Sequence, residues 1–280
     1  MINDTTMTKR EITIVDIPSP GILGGVYSDL ILALTHSINS LGFKVIYERR
    51  LIRTTSPVII FGLYREFINN SPQIQLPPNY FNFNLAPILG TKTPWFQNYL
   101  QCVSKHNLID YSHSNISNLS KLSTNLRPAH LFNFGYFDLM PFKGFERGES
   151  YLFFGKLNED RAQRLKSFQS AGLQLNVLQN VWGHERDIQI RKAKAIINIG
   201  KYDPNILEVY RIWHSLCLGT PVYSDAGIDE TLAKEYSKYI NLSVRLEIDS
   251  FLIPPVSPSL YKKETTFMES VNALLDFINQ

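Results

Sequence analysis

The chain has 280 residues, of which 44% are hydrophobic and 19% charged, with 28 basic side chains against 25 acidic ones. This composition excludes a disordered chain, and the length is enough for two domains each with a buried core. A net charge of +3 lacks the clustered basic excess of nucleic-acid binders, so nucleic acid is the weaker partner class.

In chain order, ITIVDI near residue 12 reads as a strand, GGVYSDLILALTHSINSLG as an amphipathic helix and FKVIYE as a returning strand, the pattern of a parallel crossover. Further strands are expected at 57–61, 79–84, 108–111 and 130–134, with helices near 95–103 and 114–122. Residues 135–148, GYFDLMPFKGFERG, are rich in Gly, Pro and Phe without periodicity and read as a linker. Beyond it come strands near 151–154, 173–178, 195–199 and 221–224, alternating with helices near 159–171, 185–194 and 206–218. A helix at 264–279 ends the chain. This alternation predicts an α/β protein of two Rossmann-like, doubly wound domains, residues 1–140 and 141–280, with the last helix closing the second. Cys102 and Cys217 fall in helical patterns and read as buried thiols, which fits a reducing cytoplasm. No run approaches the roughly 18 apolar residues of a membrane span, and the polar start MINDTTMTKR does not read as a signal peptide.

The second half carries the chemistry. In YLFFGKLNEDRAQRL an aromatic strand ends at Gly155, and a helix opens after Asn158, so Gly155, Lys156, Asn158 and Arg161 form a turn suited to phosphate. The same residues also fit a plain N-cap by Asn158 with solvated charges. Glu208 and Arg211, three apart, share a face at the start of a helix, where a carboxylate for ribose hydroxyls and a guanidinium for phosphate would sit together; a surface ion pair has the same spacing. Val181, Trp182 and Gly183 in VWGHERD offer backbone amides and an aromatic face for a base, or a lid on the core. Tyr202, Asn205 and Ile206 occupy the next loop, with Asn205 read as the helix cap.

Two Rossmann-like halves with a phosphate turn and an acidic-basic helix in the second resemble the GT-B architecture of nucleotide-sugar glycosyltransferases, of the family 1 and 4 kind. The segments NYFNFNLAPI, TPWFQNYL, LIDYSHSNISNL, YLFFGKLNEDRAQRLKSFQSAGL and NVWGHERDIQIRKAKAIINIGKYDPNILEVYRIWHSLCLGTPVYSD resemble a sparsely characterised bacterial family of glycosyltransferases. The resemblance spans about residues 79–225. It implies a nucleotide-sugar donor, such as a UDP-sugar, bound by the second domain, and a hydroxyl acceptor, a glycan or small molecule, held by the first. The donor is a substrate, and no cofactor is implied.

On the acceptor side, Gly24, Gly25 and Tyr27 lie between a strand and a helix, where glycine permits close approach. Asp29 on the first helical turn is the candidate general base, with a helix-dipole partner as its plain alternative. His106, His113 and His130 are alternative bases. No cluster has metal-ligand spacing and no Asp-x-Asp is present, so departure of the diphosphate is expected to rest on helix dipole and basic residues. Two departures stand out. Ala86 occupies the place of a glutamate in the resembled family, and Leu216, eight residues after Glu208, replaces the second glutamate of the retaining GT-B signature. A binding protein without turnover and a transferase acting on modified nucleic acid are therefore alternative readings.

Overall fold

The computed structural model of the protein describes residues 10–18, 26–70, 76–88, 94–122, 127–139, 146–201 and 205–280. Its first sheet has six parallel strands: β1 (Glu11–Asp16), β2 (Lys44–Glu48), β3 (Val58–Phe61), β4 (Tyr80–Asn84), β5 (Asn107–Asp110) and β6 (Ala129–Leu131). They lie in the order β2-β1-β3-β4-β5-β6. The run VIIF of β3 is buried at all four positions, as a central parallel strand covered on both faces must be. Alternation then sorts the two faces. Ile12, Ile14, Ile59 and Phe61 enter one core with α1 (Ser28–Ser40). Val15, Val58 and Ile60 enter another with α2 (Tyr64–Asn70), α3 (Pro94–Ser104) and α4 (His113–Leu122).

The second sheet contains β7 (Tyr151–Phe154), β8 (Leu175–Leu178), β9 (Ile196–Asn198), β10 (Val222–Asp225) and β11 (Asn241–Ser243). All are parallel, in the order β11-β10-β9-β7-β8. On one face Leu165 and Phe168 of α5 (Glu159–Ser170) meet Tyr151, Phe153 and Tyr223. On the other, α6 (Gly183–Lys192) and α7 (Val209–Cys217) contribute Ile190, Ile212 and Leu216. The chain is thus a mixed α/β protein built on two parallel sheets.

One apolar core runs through both halves. Trp213 of α7 is fully buried, with its ring 5.6 Å from Phe134 and 5.7 Å from Phe267, and its indole N–H donates to the Gly135 carbonyl at 2.8 Å. The C-terminal helix α10 (Phe267–Ile278), which the sequence assigns to the second half, packs across onto the first: Phe277 stacks on His130 and meets Phe81 edge-on. Its apolar stripe of Phe267, Val271, Leu274, Leu275 and Ile278 finds its cover there.

The boundary between 140 and 141 lies outside the described residues. Before it the expected linker is pinned, with Tyr136 N–H on Thr265 Oγ1 and Phe267 N–H on the Tyr136 carbonyl, both at 3.0 Å. Gly135 is needed there, because a Cβ would collide with the Thr266 backbone. Five described elements escape the sequence reading: α2, α8 (Glu230–Tyr236), β11, a 3-10 helix (Ile248–Leu252) and α9 (Ser259–Glu264). Each spans three to seven residues, too few for a period to declare itself. Among the described residues no helix is long and apolar enough to cross a membrane.

Candidate functional site

From β7 the chain moves outward to β8, then returns to β9 on the other side of β7, so the loops leaving β7 and β9 diverge. A crevice at the carboxyl ends of the strands opens at such a switch point. Gly155 ends β7 with φ of +124°, a conformation that disfavours a side chain, and a Cβ there would lie 2.8 Å from Arg211 Nη2. Gly200 follows β9, and its missing side chain leaves the place that Asn205 fills.

Glu208 draws the two loops together. It occupies the N-cap position of α7, and its Oε1 accepts from Lys201 N–H at 3.0 Å and from the Arg161 guanidinium. Its Oε2 pairs with Arg211 Nη2 at 2.9 Å. Arg211 also donates to Asn198 Oδ1 at 2.7 Å and lies over the rings of Phe153 and Phe154. Burial lowers its pKa to about 10, while the Glu208 carboxylate works to keep it charged. Arg161 is 1% exposed and directs its remaining donors to the Ile199 and Lys156 carbonyls. Two guanidinium groups therefore share one carboxylate, which leaves an excess of positive charge at the carboxyl ends of β7 and β9.

The Gly155 turn has the strand, glycine and capped helix that the sequence predicts. Asn158 caps α5, its Oδ1 accepting from Arg161 N–H at 3.1 Å, and its amide reaches the Lys201 carbonyl at 2.7 Å. The cap role and the loop-joining role thus coexist. Lys156 is exposed. Asn205 is not the cap of α7: the helix begins at Val209 with Glu208 before it, while Ile206 and Leu207 are buried in the core ahead of it. Trp182 holds the N-cap position of α6 with no side-chain cap bond, flanked by half-buried Val181 and Gly183. Tyr202, Gly24 and Gly25 lie outside the described residues.

Asp29 and Tyr27 meet the second half. Tyr27 packs its ring on Phe61 and on Tyr210 of α7 at 5.8 Å. Asp29 Oδ2 pairs with the Arg186 guanidinium and accepts from the Tyr210 hydroxyl at 3.3 Å. Arg186 in turn donates to Asp187 Oδ1, which also accepts from His214 Nε2 at 3.0 Å. Asp29, Asp187 and His214 come close enough to ligate a cation. The Arg186 guanidinium, bonded to both carboxylates and 3.2 Å from His214 Nε2, supplies the positive charge among them.

A second tie crosses the halves. Asp229 caps α8 and accepts from Ser112 Oγ at 2.6 Å and Ser114 N–H at 2.9 Å. Ser112 N–H donates to Asp110, a fully buried carboxyl that burial raises to about 7 despite hydrogen bonds from Asn84 and Asn115. Tyr111, beside it, has its pKa raised well above the ordinary value by burial and then by Asp110, Glu208 and Asp229. The carboxyl end of β5 therefore faces the charges of the second half. Sequence reading passes over Arg186, Asp187, His214 and Asp229. The one sign of His214 is an ionisable residue inside IWHSLC, a run that is buried throughout in α7. A half-open aromatic pocket of about 220 Å³ also lies between the halves, lined by Tyr111, Phe134, Tyr236, Tyr239 and Tyr261, but it includes none of the expected site residues.

No family model and no curated protein matches the chain. Among solved structures it is similar to AviGT4, a glycosyltransferase involved in avilamycin A biosynthesis, with a TM-score of 0.57 and 10% identity over 96% of this chain and 97% of that one. At that identity the likeness is one of fold.

Proposed function

We propose that the protein is a GT-B glycosyltransferase that takes a nucleotide sugar at the switch point of the second sheet and transfers the sugar to an acceptor hydroxyl held by the first half. The observation that carries this reading is the convergence of Gly155, Lys201, Glu208 and Arg211 on one crevice with two guanidinium groups to one carboxylate. In this reading the part-exposed Glu208 carboxylate, beyond its bonds to Lys201, Arg161 and Arg211, also accepts from ribose hydroxyls, and Arg211 with the Gly155 turn takes the diphosphate. Arg161 acts as a positioning residue for Glu208. Val181, Trp182 and Gly183 border the base.

The chemistry is displacement at the anomeric carbon. The acceptor oxygen forms the new bond, and the bond to the diphosphate breaks with its electron pair passing to the departing oxygen. The acceptor proton goes to a base. Fixed positive charge stabilises the leaving group without reorganisation during the reaction, which removes the requirement for a divalent cation. Asp29 is the proposed base, and its Oδ2 bonds to Arg186 and Tyr210 give it a second role as a tie between the halves.

Thermal unfolding of the full chain with UDP, GDP, CDP, CMP, ADP and dTDP and their sugar conjugates tests the donor site. A ligand at 100 times its Kd contributes about 2.7 kcal/mol. One selective shift, lost in Arg211→Gln, is expected; a flat panel overturns the proposal. A nucleotide shift without turnover on any hydroxyl acceptor would select the binding-protein reading instead.

A further inference from the structure

The aromatic pocket between the halves is built from both of them. Tyr111, Phe132 and Phe134 reach it from the carboxyl ends of β5 and β6, the end of an open α/β sheet at which ligands bind. Tyr236 of α8, Tyr239, and Tyr261 of α9 close it from the second half. These rings are buried, whereas Asn133, Glu235 and Lys238, which also line the pocket, are exposed and mark its mouth. An apolar cavity of about 150 Å³ is enough for a benzene ring, so about 220 Å³ holds one aromatic ring with a small substituent.

The hydroxyls around this floor are already engaged. Tyr261 donates to the Phe134 carbonyl and Tyr239 to Glu264 Oε2 at 3.3 Å, while Tyr236 and Tyr111 bond to the side chains of Tyr261 and Asn115. Thr265 Oγ1 donates to the Tyr261 carbonyl and accepts from Tyr136 N–H. A sugar ring buried here would leave hydroxyls unpaired, whereas a flat apolar ring gains edge-to-face contacts and can leave a single polar substituent at the mouth. The mouth does not favour an anion either. Its one ammonium, Lys238, is paired with Glu264 at 3.1 Å, and Glu235 adds a second carboxylate. The pocket also borders the proposed donor crevice, since Val209 in its wall follows Glu208 in the chain and the Glu208 charge is felt at Tyr111.

We propose that this pocket seats an uncharged aromatic ring carried by the acceptor, which makes the acceptor an aryl hydroxyl compound. This assignment rests on the glycosyltransferase reading for the word acceptor, but not for the ring site itself.

The test uses the full chain labelled with carbon-13 in its tyrosine rings, titrated separately with p-cresol, benzoate and methyl glucoside. Tyr236→Phe and Tyr239→Phe assign two pocket resonances by removing them one at a time. A saturable shift of both with p-cresol is expected, with benzoate weaker by about tenfold or more because its charge would be buried unpaired, and with no shift from methyl glucoside. Val209→Phe fills the pocket and should weaken p-cresol binding about tenfold or more. If that variant does not fold, Asn133→Trp at the exposed mouth serves the same purpose. The inference fails if p-cresol leaves both resonances unmoved, if benzoate or methyl glucoside binds as tightly, or if the folded blocking variant binds p-cresol unchanged. The nucleotide panel reports on the donor site separately: p-cresol binding beside a flat panel keeps the ring site and removes the acceptor role, while a nucleotide shift without p-cresol binding removes the ring site alone.

Discussion

The two switch points use the same residue type in opposite states. In the second sheet Arg161, Arg211 and Glu208 satisfy one another and hold two loops together before any ligand arrives. In the first, where the chain runs from β1 outward to β2 and back to β3, Arg65 Nε and Nη2 and Asp16 Oδ1 are buried without a well-formed hydrogen bond. The carboxylates follow the same division. Burial raises Asp16 and Asp110 in the first half, while Asp187 and Asp229 overcome burial through hydrogen bonds from His214 and from Ser112 and Ser114, and so are lowered. A closely paired cluster around Glu208 in the second half thus contrasts with an Asp16 and Arg65 pair in the first whose buried polar atoms are less fully bonded.

Breaking the second crevice should have the largest effect. Glu208→Ala removes the carboxylate shared by two buried guanidinium groups, and a cost of about 3 kcal/mol in denaturant unfolding is expected, together with loss of nucleotide binding. A variant as stable as the parent would show that the two arginines do not depend on Glu208.

The state of the first half can be read by pH. Asp110 titrates near 7 when folded, against an ordinary 3.8, so between these values the folded state retains a proton that the unfolded chain has lost. Stability from this group is therefore fully present below about pH 4, declines as pH rises toward 7 by up to roughly 1.4 kcal/mol per pH unit, and is level above. Asp110→Asn should remove this slope from a series of unfolding curves. A slope that persists in the variant would place the titration elsewhere.

Gly155→Ala strikes the second crevice more lightly. A side chain at φ of +124° strains the backbone and presses on Arg211, for an expected loss of about 1–3 kcal/mol. Nucleotide affinity should fall with it, since Arg211 must shift; unchanged affinity by calorimetry would remove the Gly155 turn from the donor site.

What could be read from the sequence was what is local in it. The buried run VIIF, the strand, glycine and Asn158 cap of the Gly155 turn, and the pairing of Glu208 with Arg211 are each set within a few residues of sequence. Local spacing carries that information directly. The ties between the halves do not: Asp29 is 157 residues from Arg186, and Ser112 is 117 from Asp229. Neither partner differs in type from the charged residues of an exposed helix face, so only the folded chain distinguishes them. Asn205 misled for a related reason, because asparagine favours caps generally, while the chain buries Ile206 and Leu207 before α7 begins. The packing of α10 on the first sheet was hidden likewise, since an apolar stripe states that a helix needs cover without saying which sheet supplies it.

The smallest expected effect is the sharpest on the difference between the halves. Asp16 is fully buried, its Oδ1 has no hydrogen bond, and the Arg65 charge 3.8 Å away does not offset the cost of burial, which leaves its pKa raised. Removing a charge that is already poorly compensated costs little, so Asp16→Asn at pH 7 should change unfolding free energy by less than about 1 kcal/mol. Glu208, whose removal strands two cations, should cost several times more under the same conditions. Equal losses at the two positions would mean that the pair of Asp16 and Arg65 is as closely compensated as the cluster around Glu208, and the contrast between the two switch points would disappear.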